Sequence, residues 1–282
     1  MTSPCRQPAR CPTDGAARVI RFSRGARLLV VLLALSSLVA SAARASQRVT
    51  LAVTLAPERL GAGTTIEYGF RVLAPGGRVP SPLSTVELLY PAHIGLITSG
   101  LGLATCSSAT LELLGPQACP ADALMGRGSA LVEIPVGPAI IREAGAITTW
   151  MAPPRNGRVS LLFYAEGRSP VLAELIFPGL ILDAPTPYGG RLTTQIPEIP
   201  TLPEGHDAAV VEMHATIGPK TLTYYERRRH HRVAYTPNGI VLPGSCPRGG
   251  FPFAADFTFL DGSHASARTA VPCPDQRAHG HG

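Results

Sequence analysis

Helical periodicity is the first thing this sequence lacks. Apart from one apolar run near its start, no stretch keeps apolar residues at helical spacing for more than two turns, which argues against helical bundles and coiled coils. Long apolar runs are missing too. A membrane-spanning helix needs about 20 mostly apolar residues, and the run at 28–40 (LLVVLLALSSLVA) is shorter. Ready-made chemistry is equally scarce. No His-Glu-x-x-His or Cys-x-x-Cys occurs, and the cysteine spacing fits no zinc ribbon or finger, so no metal site is expected. Gly-x-Ser-x-Gly and the glycine patterns of dinucleotide and P-loop sites are absent as well, leaving no nucleophile elbow, no phosphate cradle and no implied cofactor.

What is present begins with a targeting pattern. Arg18, Arg21, Arg24 and Arg27 precede the apolar run, and Ala43-Arg44-Ala45 follows with small residues at signal-peptidase spacing. Residues 1–45 read as a signal peptide; if uncleaved, that leader is the chain's one means of membrane attachment. It carries seven arginines and a single acid, Asp14, so the rest of the chain holds 18 basic and 18 acidic residues. The basic excess belongs to the leader, and a nucleic-acid partner is not expected. Cys5 and Cys11 leave with it. Cys106, Cys119, Cys246 and Cys273 remain, an even number in an exported chain and therefore disulfide candidates.

Residues 46–282 are punctuated by Gly and Pro, with short runs rich in β-branched and aromatic residues between them: 49–55, 64–73, 85–90, 129–135, 147–151, 159–165, 171–177, 208–217, 221–226, 232–236, 251–259 and 264–271. The expected fold is all-β, an antiparallel sandwich of immunoglobulin-like or similar type, in one or two packed lobes. A two-lobed chain would divide near Ala144-Gly145, and 275–282 reads as a loose tail. The Pro-rich stretch 196–205 (IPEIPTLPEG) reads as a long loop lying along the body. In the run 208–217, Ala209, Val211, Met213, Ala215 and Ile217 share the expected buried face, opposite Glu212, His214 and Thr216. Asn156-Gly157 marks a two-residue hairpin turn.

The last two runs fix their own register. Phe251, Phe253, Ala255, Phe257 and Phe259 share one face, as do Ala265, Ala267, Thr269 and Val271. A two-residue turn at Asp261-Gly262 would set His264 and Arg268 beside the phenylalanines. A three-residue loop of Leu260, Asp261 and Gly262, with the glycine left-handed, instead pairs Phe257 with Ala265 and Phe251 with Val271. That register brings Cys273 level with Gly249, and a Cys246–Cys273 bridge follows. A Cys106–Cys119 bridge is preferred for the other pair, clamping an excursion in which Ser108 caps a short helix at 109–114 that Gly115-Pro116 stops. Four cysteines allow three pairings, so this preference rests on sequence locality.

The motifs LGLATC, ACPADALMGRGSA, FYAEGRSP, YGGRL, LTYYE and CPRGGFPFAADFTFLDGS, spread over 49–274, resemble an uncharacterised group of exported β-rich proteins of actinobacterial type with two cysteine-pair motifs. The resemblance implies export and a shared β scaffold, and it brings no catalytic residues.

Among candidate acids, Glu133, Glu166, Glu174 and Glu198 have no spacing that brings two together for glycoside hydrolysis. Glu212 and His214, with His206 and Asp207 shortly before them, could hold a cation but read better as a solvated face, and His279 and His281 fall in the tail. The strongest local charge feature is ERRRHHR at 226–232. As a hairpin tip it would gather Arg227, Arg228, Arg229 and Arg232 beside Tyr224, Tyr225 and Tyr235, which suits a cell-wall polymer, a carbohydrate or another anionic envelope component. The expectation is thus an exported, non-enzymatic, secreted or cell-surface protein, structural, adhesive or ligand-binding at the envelope. The alternative is a secreted carbohydrate-active or other hydrolase whose site is assembled from distant residues.

Overall fold

The computed structural model describes residues 47–95, 100–169, 172–199 and 208–274. The expected leader, the tail, His206, Asp207, His279, His281 and the stretch 200–205 lie outside them. The described residues belong to one compact unit, Ala45–Gly282. Alternating side chains build fourteen strands: β1 (Arg48–Ala56), β2 (Gly63–Leu73), β3 (Leu83–Pro91), β4 (Leu124–Val136), β5 (Ala139–Arg155), β6 (Arg158–Gly167), β7 (Ala173–Leu182), β8 (Tyr188–Gln195), β9 (Ala209–Ile217), β10 (Tyr224–Arg228), β11 (His231–Tyr235), β12 (Ile240–Val241), β13 (Phe251–Phe259) and β14 (His264–Val271). Among the described residues one α-helix, α1 (Ser108–Leu114), and four single-turn 3-10 helices stand between them.

The all-β antiparallel expectation holds, but the sheet is not an immunoglobulin-like sandwich. Eleven strands form a single path, β1-β2-β9-β4-β5-β6-β7-β8-β3-β13-β14, with β12 added to β2. The path curls until β1 lies beside β14, giving a nearly closed barrel. Period-two alternation tells which face of a strand is buried. It does not tell whether that face looks at a second sheet or across a lumen at its own far side. Ala144 and Gly145 lie mid-strand in β5, paired with β4 on one side, and Gly145 with β6 on the other.

The interior is filled unevenly. On one side β13 contributes Phe251, Phe253, Phe257 and Phe259, all buried, and the register Phe257↔Ala265, Ala255↔Ala267, Phe253↔Thr269 and Phe251↔Val271 is the one the side-chain pattern requires. Its loop closes by Gly262 donating to Phe259 O (3.0 Å) and Phe259 donating to Ser263 O (3.0 Å), with Gly262 at φ 76°. Phe257 meets Phe70 edge-on at 4.9 Å between centroids. On the other side, inward slots of β4–β7 carry small residues: Ala130, Gly145, Ala165, Gly167 and Ala173. Large rings against small ones close one half of the lumen and leave space in the other.

The outer face of β5 and β6 is also buried. Trp150, Leu162 and Tyr164 pack with Cys106, Leu111 and Cys119, because the excursion between β3 and β4 folds over them, held by Cys106 N–H donating to Met151 O at 2.8 Å. Both expected disulfides form, Cys106–Cys119 and Cys246–Cys273, with Cα separations of 5.4 and 5.8 Å; such bonds persist in oxidising compartments. The helix cap is Ser107 rather than Ser108: its hydroxyl accepts from Thr110 N–H at 3.1 Å. Ser107 has the extended backbone of an N-cap, φ −90° and ψ 155°, while Ser108 is already helical.

Asn156 and Gly157, at φ 52° and 72°, make the two-residue β5–β6 turn. The expected parity of β9 fails at its start. A bulge opposite Leu131 and Val132 pairs Val132 with Val210, so Val210 faces the lumen with Met213 while Val211 joins Arg71 and Glu212 in an outer groove. One inserted residue exchanges the faces.

Candidate functional site

The small inward residues open an apolar cavity of about 120 Å3 at the end of the barrel where β4 turns into β5 and β6 leads to β7. Its walls are built in register. Val132 faces Glu143, Gly145 faces Gly167, and Gly167 faces Ala173. Phe163 and Phe177 stack across the β6–β7 pair at 5.3 Å. Gly179 is side-chain-free for a packing reason, since a Cβ there would press on Phe163 and Leu192, each at 2.8 Å. A second apolar cavity of about 110 Å3 occupies the opposite end, lined by residues including Tyr68, Tyr90 and Ile181, and it shares Leu88 and Leu192 with the first. Burial pushes the Tyr68 phenol well above its ordinary value, and burial followed by the charge of Asp183 raises that of Tyr90. Cavities this apolar stay dry and admit small apolar guests; a cavity of ~150 Å3, somewhat larger than either of these, holds benzene.

One polar group breaks the apolar lining. Ile141, Glu143, Gly145 and Ile147 follow one another at every second position of β5, and Glu143, Gly145 and Ile147 all face the cavity. Glu143 is 7% exposed, and its Oε1 is buried without a hydrogen-bond partner among the described residues. A side chain at 167 would collide with that oxygen, so Gly167 is what gives the carboxylate its room. Sequence reasoning passed over Glu143. The available signal was its parity: a glutamate in a slot whose neighbours at i−2 and i+4 are isoleucines.

The acids that were singled out lie elsewhere. Glu133 points out of the barrel and accepts from Arg142 Nε at 2.8 Å. Glu166 contributes to the cavity wall, but its carboxylate is bound to Arg168 Nε at 2.7 Å. Glu198 is exposed beyond β8. Glu212 accepts from Arg71 at 2.8 and 3.2 Å and contacts His214 Nε2 at 2.7 Å; those partners, His214 first, hold its carboxyl below the usual range. Among the described residues no three His, Cys, Asp or Glu side chains gather as a metal site would require.

The basic segment does form a separate two-stranded ribbon, β10–β11. Arg229 and His230, at φ 44° and 74°, make its turn, and Arg227 faces Arg232 across it. Arg232 lies 3.8 Å over the Tyr225 ring, whereas Arg228 is tied to Glu226 at 2.6 Å. The ribbon is anchored by Tyr224, which is fully buried, donates to Leu124 O at 2.6 Å and accepts from Gly102 N–H at 3.1 Å. The structure therefore gathers the four arginines at one exposed tip and keeps only Tyr225 on the face that carries Arg227 and Arg232. No family model, curated protein or solved structure matches this chain.

Proposed function

We propose that this protein is an exported, non-enzymatic binding protein of the cell envelope, one that holds the apolar part of a ligand inside its barrel. The observation that carries this reading is the cavity itself. A sheet that packs four phenylalanines into one side of its lumen places Ala130, Gly145, Ala165, Gly167 and Ala173 on the other, and the space this leaves has the apolar lining with a single polar group that small-molecule sites share, on a smaller scale than most. The two disulfides support a life outside the cytoplasm, as does the resemblance to exported β-rich proteins.

The test is binding of a neutral apolar fluorophore, N-phenyl-1-naphthylamine, to the native protein and to Ala165→Leu. Bright, saturable fluorescence in the native protein, lost in a variant with unchanged circular dichroism, supports the reading. Equal binding to both, or none to either, overturns it.

A second reading has its own observation. Among the described residues Arg227, Arg229 and Arg232 form no ion pair, although Asp122 and Glu226 line the same groove as Arg227 and Arg232, and these three cations support docking onto an anionic wall polymer at low salt. Replacing Arg227, Arg228, Arg229 and Arg232 with serine removes retention on such a polymer while leaving the melting temperature nearly unchanged; retained binding ends this reading.

A further inference from the structure

We propose that the barrel cavity selects ligands whose apolar chain ends in a hydrogen-bond donor, an amine or an alcohol, and that Glu143 makes the selection. The inference rests on the cavity being a binding site and adds the chemical class of what enters it.

A buried acceptor without a donor is costly, and native proteins seldom leave one without a reason. Three buried side-chain polar atoms lack partners among the described residues: Gln47 Oε1, Arg191 Nε and Glu143 Oε1. Gln47 is already bonded to Ser263 through Nε2, and Arg191 to Glu87 through Nη1. Glu143 differs from both, because it is the carboxylate that faces an apolar cavity. Its neighbours on the outside of the sheet show what the fold does with glutamates it uses for structure: Glu133 and Glu166 each have an arginine within 2.8 Å. No such cation meets Glu143 Oε1, which is tucked into the gap that the missing side chain of Gly167 leaves.

Position along β5 gives the orientation. Moving away from the β4–β5 turn, the inward slots run Glu143, Gly145, Ile147. The polar group therefore stands nearer the barrel end and the apolar wall lies deeper. A chain entering tail first would lay its methylenes against Ile147, Leu175 and Met213 and bring its terminal donor to the Glu143 carboxylate, which turns away from Gly167 to meet it. An ammonium or hydroxyl supplies the missing proton donor. A carboxylate ligand sets acceptor against acceptor.

Isothermal titration with n-octylamine, n-octanol and n-octanoate tests this on the whole protein, on Glu143→Leu and on Glu143→Gln. In the native protein the amine and the alcohol bind about tenfold more tightly than the carboxylate, the worth of one hydrogen bond to a buried charged group. Glu143→Leu abolishes that ranking. Glu143→Gln keeps the preference for the alcohol, because its amide oxygen still accepts, and weakens the amine; it carries the test should the leucine variant not fold. Equal affinity for all three ligands, or a ranking unchanged in both variants, overturns the role of Glu143 and leaves the cavity standing. Binding of none overturns the cavity reading as well.

Discussion

Replacing Glu143 with leucine should make this protein more stable, which is unusual for a change at a buried position. Glu143 is 7% exposed, its Oε1 has no partner among the described residues, and its surroundings are apolar. An unsatisfied buried acceptor costs about 1–3 kcal/mol, and removing it returns that amount. Leucine also adds apolar contact, although an imperfect fit to the slot offsets part of the gain. The expected outcome is stabilisation of about 1–3 kcal/mol in urea denaturation, with the melting temperature rising about 2–4 °C per kcal/mol for a domain of this size. Glu133→Leu is the control. It breaks an outward-facing pair whose arginine is 67% and whose glutamate is 11% exposed; the glutamate's burial cost goes with its bond and the arginine left behind stays solvated, so stability should change by about 1 kcal/mol or less. The reasoning is refuted if Glu143→Leu destabilises by more than about 1 kcal/mol, since the carboxylate would then be making a bond the fold depends on. Sites of function commonly carry such a debit in stability.

Other expectations follow from the same structure. Phe257→Ala, at a side chain 1% exposed and in edge contact with Phe70, should cost about 3–5 kcal/mol in chemical denaturation. Opening either disulfide by paired serine substitution should cost about 3 kcal/mol for the 13-residue separation and slightly more for the 27-residue one; a peptide map of unreduced protein showing mixed pairings would contradict the connectivity. Glu67 and Glu212 are held below the ordinary carboxyl range, by Lys220 and by His214 with Arg71 respectively. Their small contribution to stability is therefore complete above the ordinary carboxyl value and fades as pH falls through the folded one. Carbon-detected NMR titration should show the Glu67 midpoint rising in Lys220→Ala, and an unmoved midpoint would remove that pairing from the account.

Much of this architecture was legible where sequence pattern alone decides the outcome. The β13–β14 register followed from the need to keep His264 and Arg268 away from four phenylalanines, and the β5–β6 turn from Asn156-Gly157. Barrel closure was not legible, because alternation is a property of one strand and closure depends on where the last strand lands. Strand β8, YGGRLTTQ, went unseen since two glycines dilute its apolar pattern, and it is held by its neighbours β3 and β7. The bulge in β9 inverted Val210 and Val211 because a one-residue insertion leaves no mark on composition. The arginine tip was plain from its charge run. Glu143 was hidden because its partner-free state is a tertiary fact, although its place between Ile141 and Ile147 showed that a carboxylate occupied an apolar slot.

Methyl NMR of the native protein titrated with n-octylamine tests the central claim most directly. Binding in the lumen shifts the methyls of Ile147, Leu175 and Met213, which line the cavity, and leaves Leu111, packed outside the barrel with Cys106 and Trp150, where it was. Shifts confined to the outer surface or to the β10–β11 ribbon, with those three methyls unmoved at saturation, would contradict it.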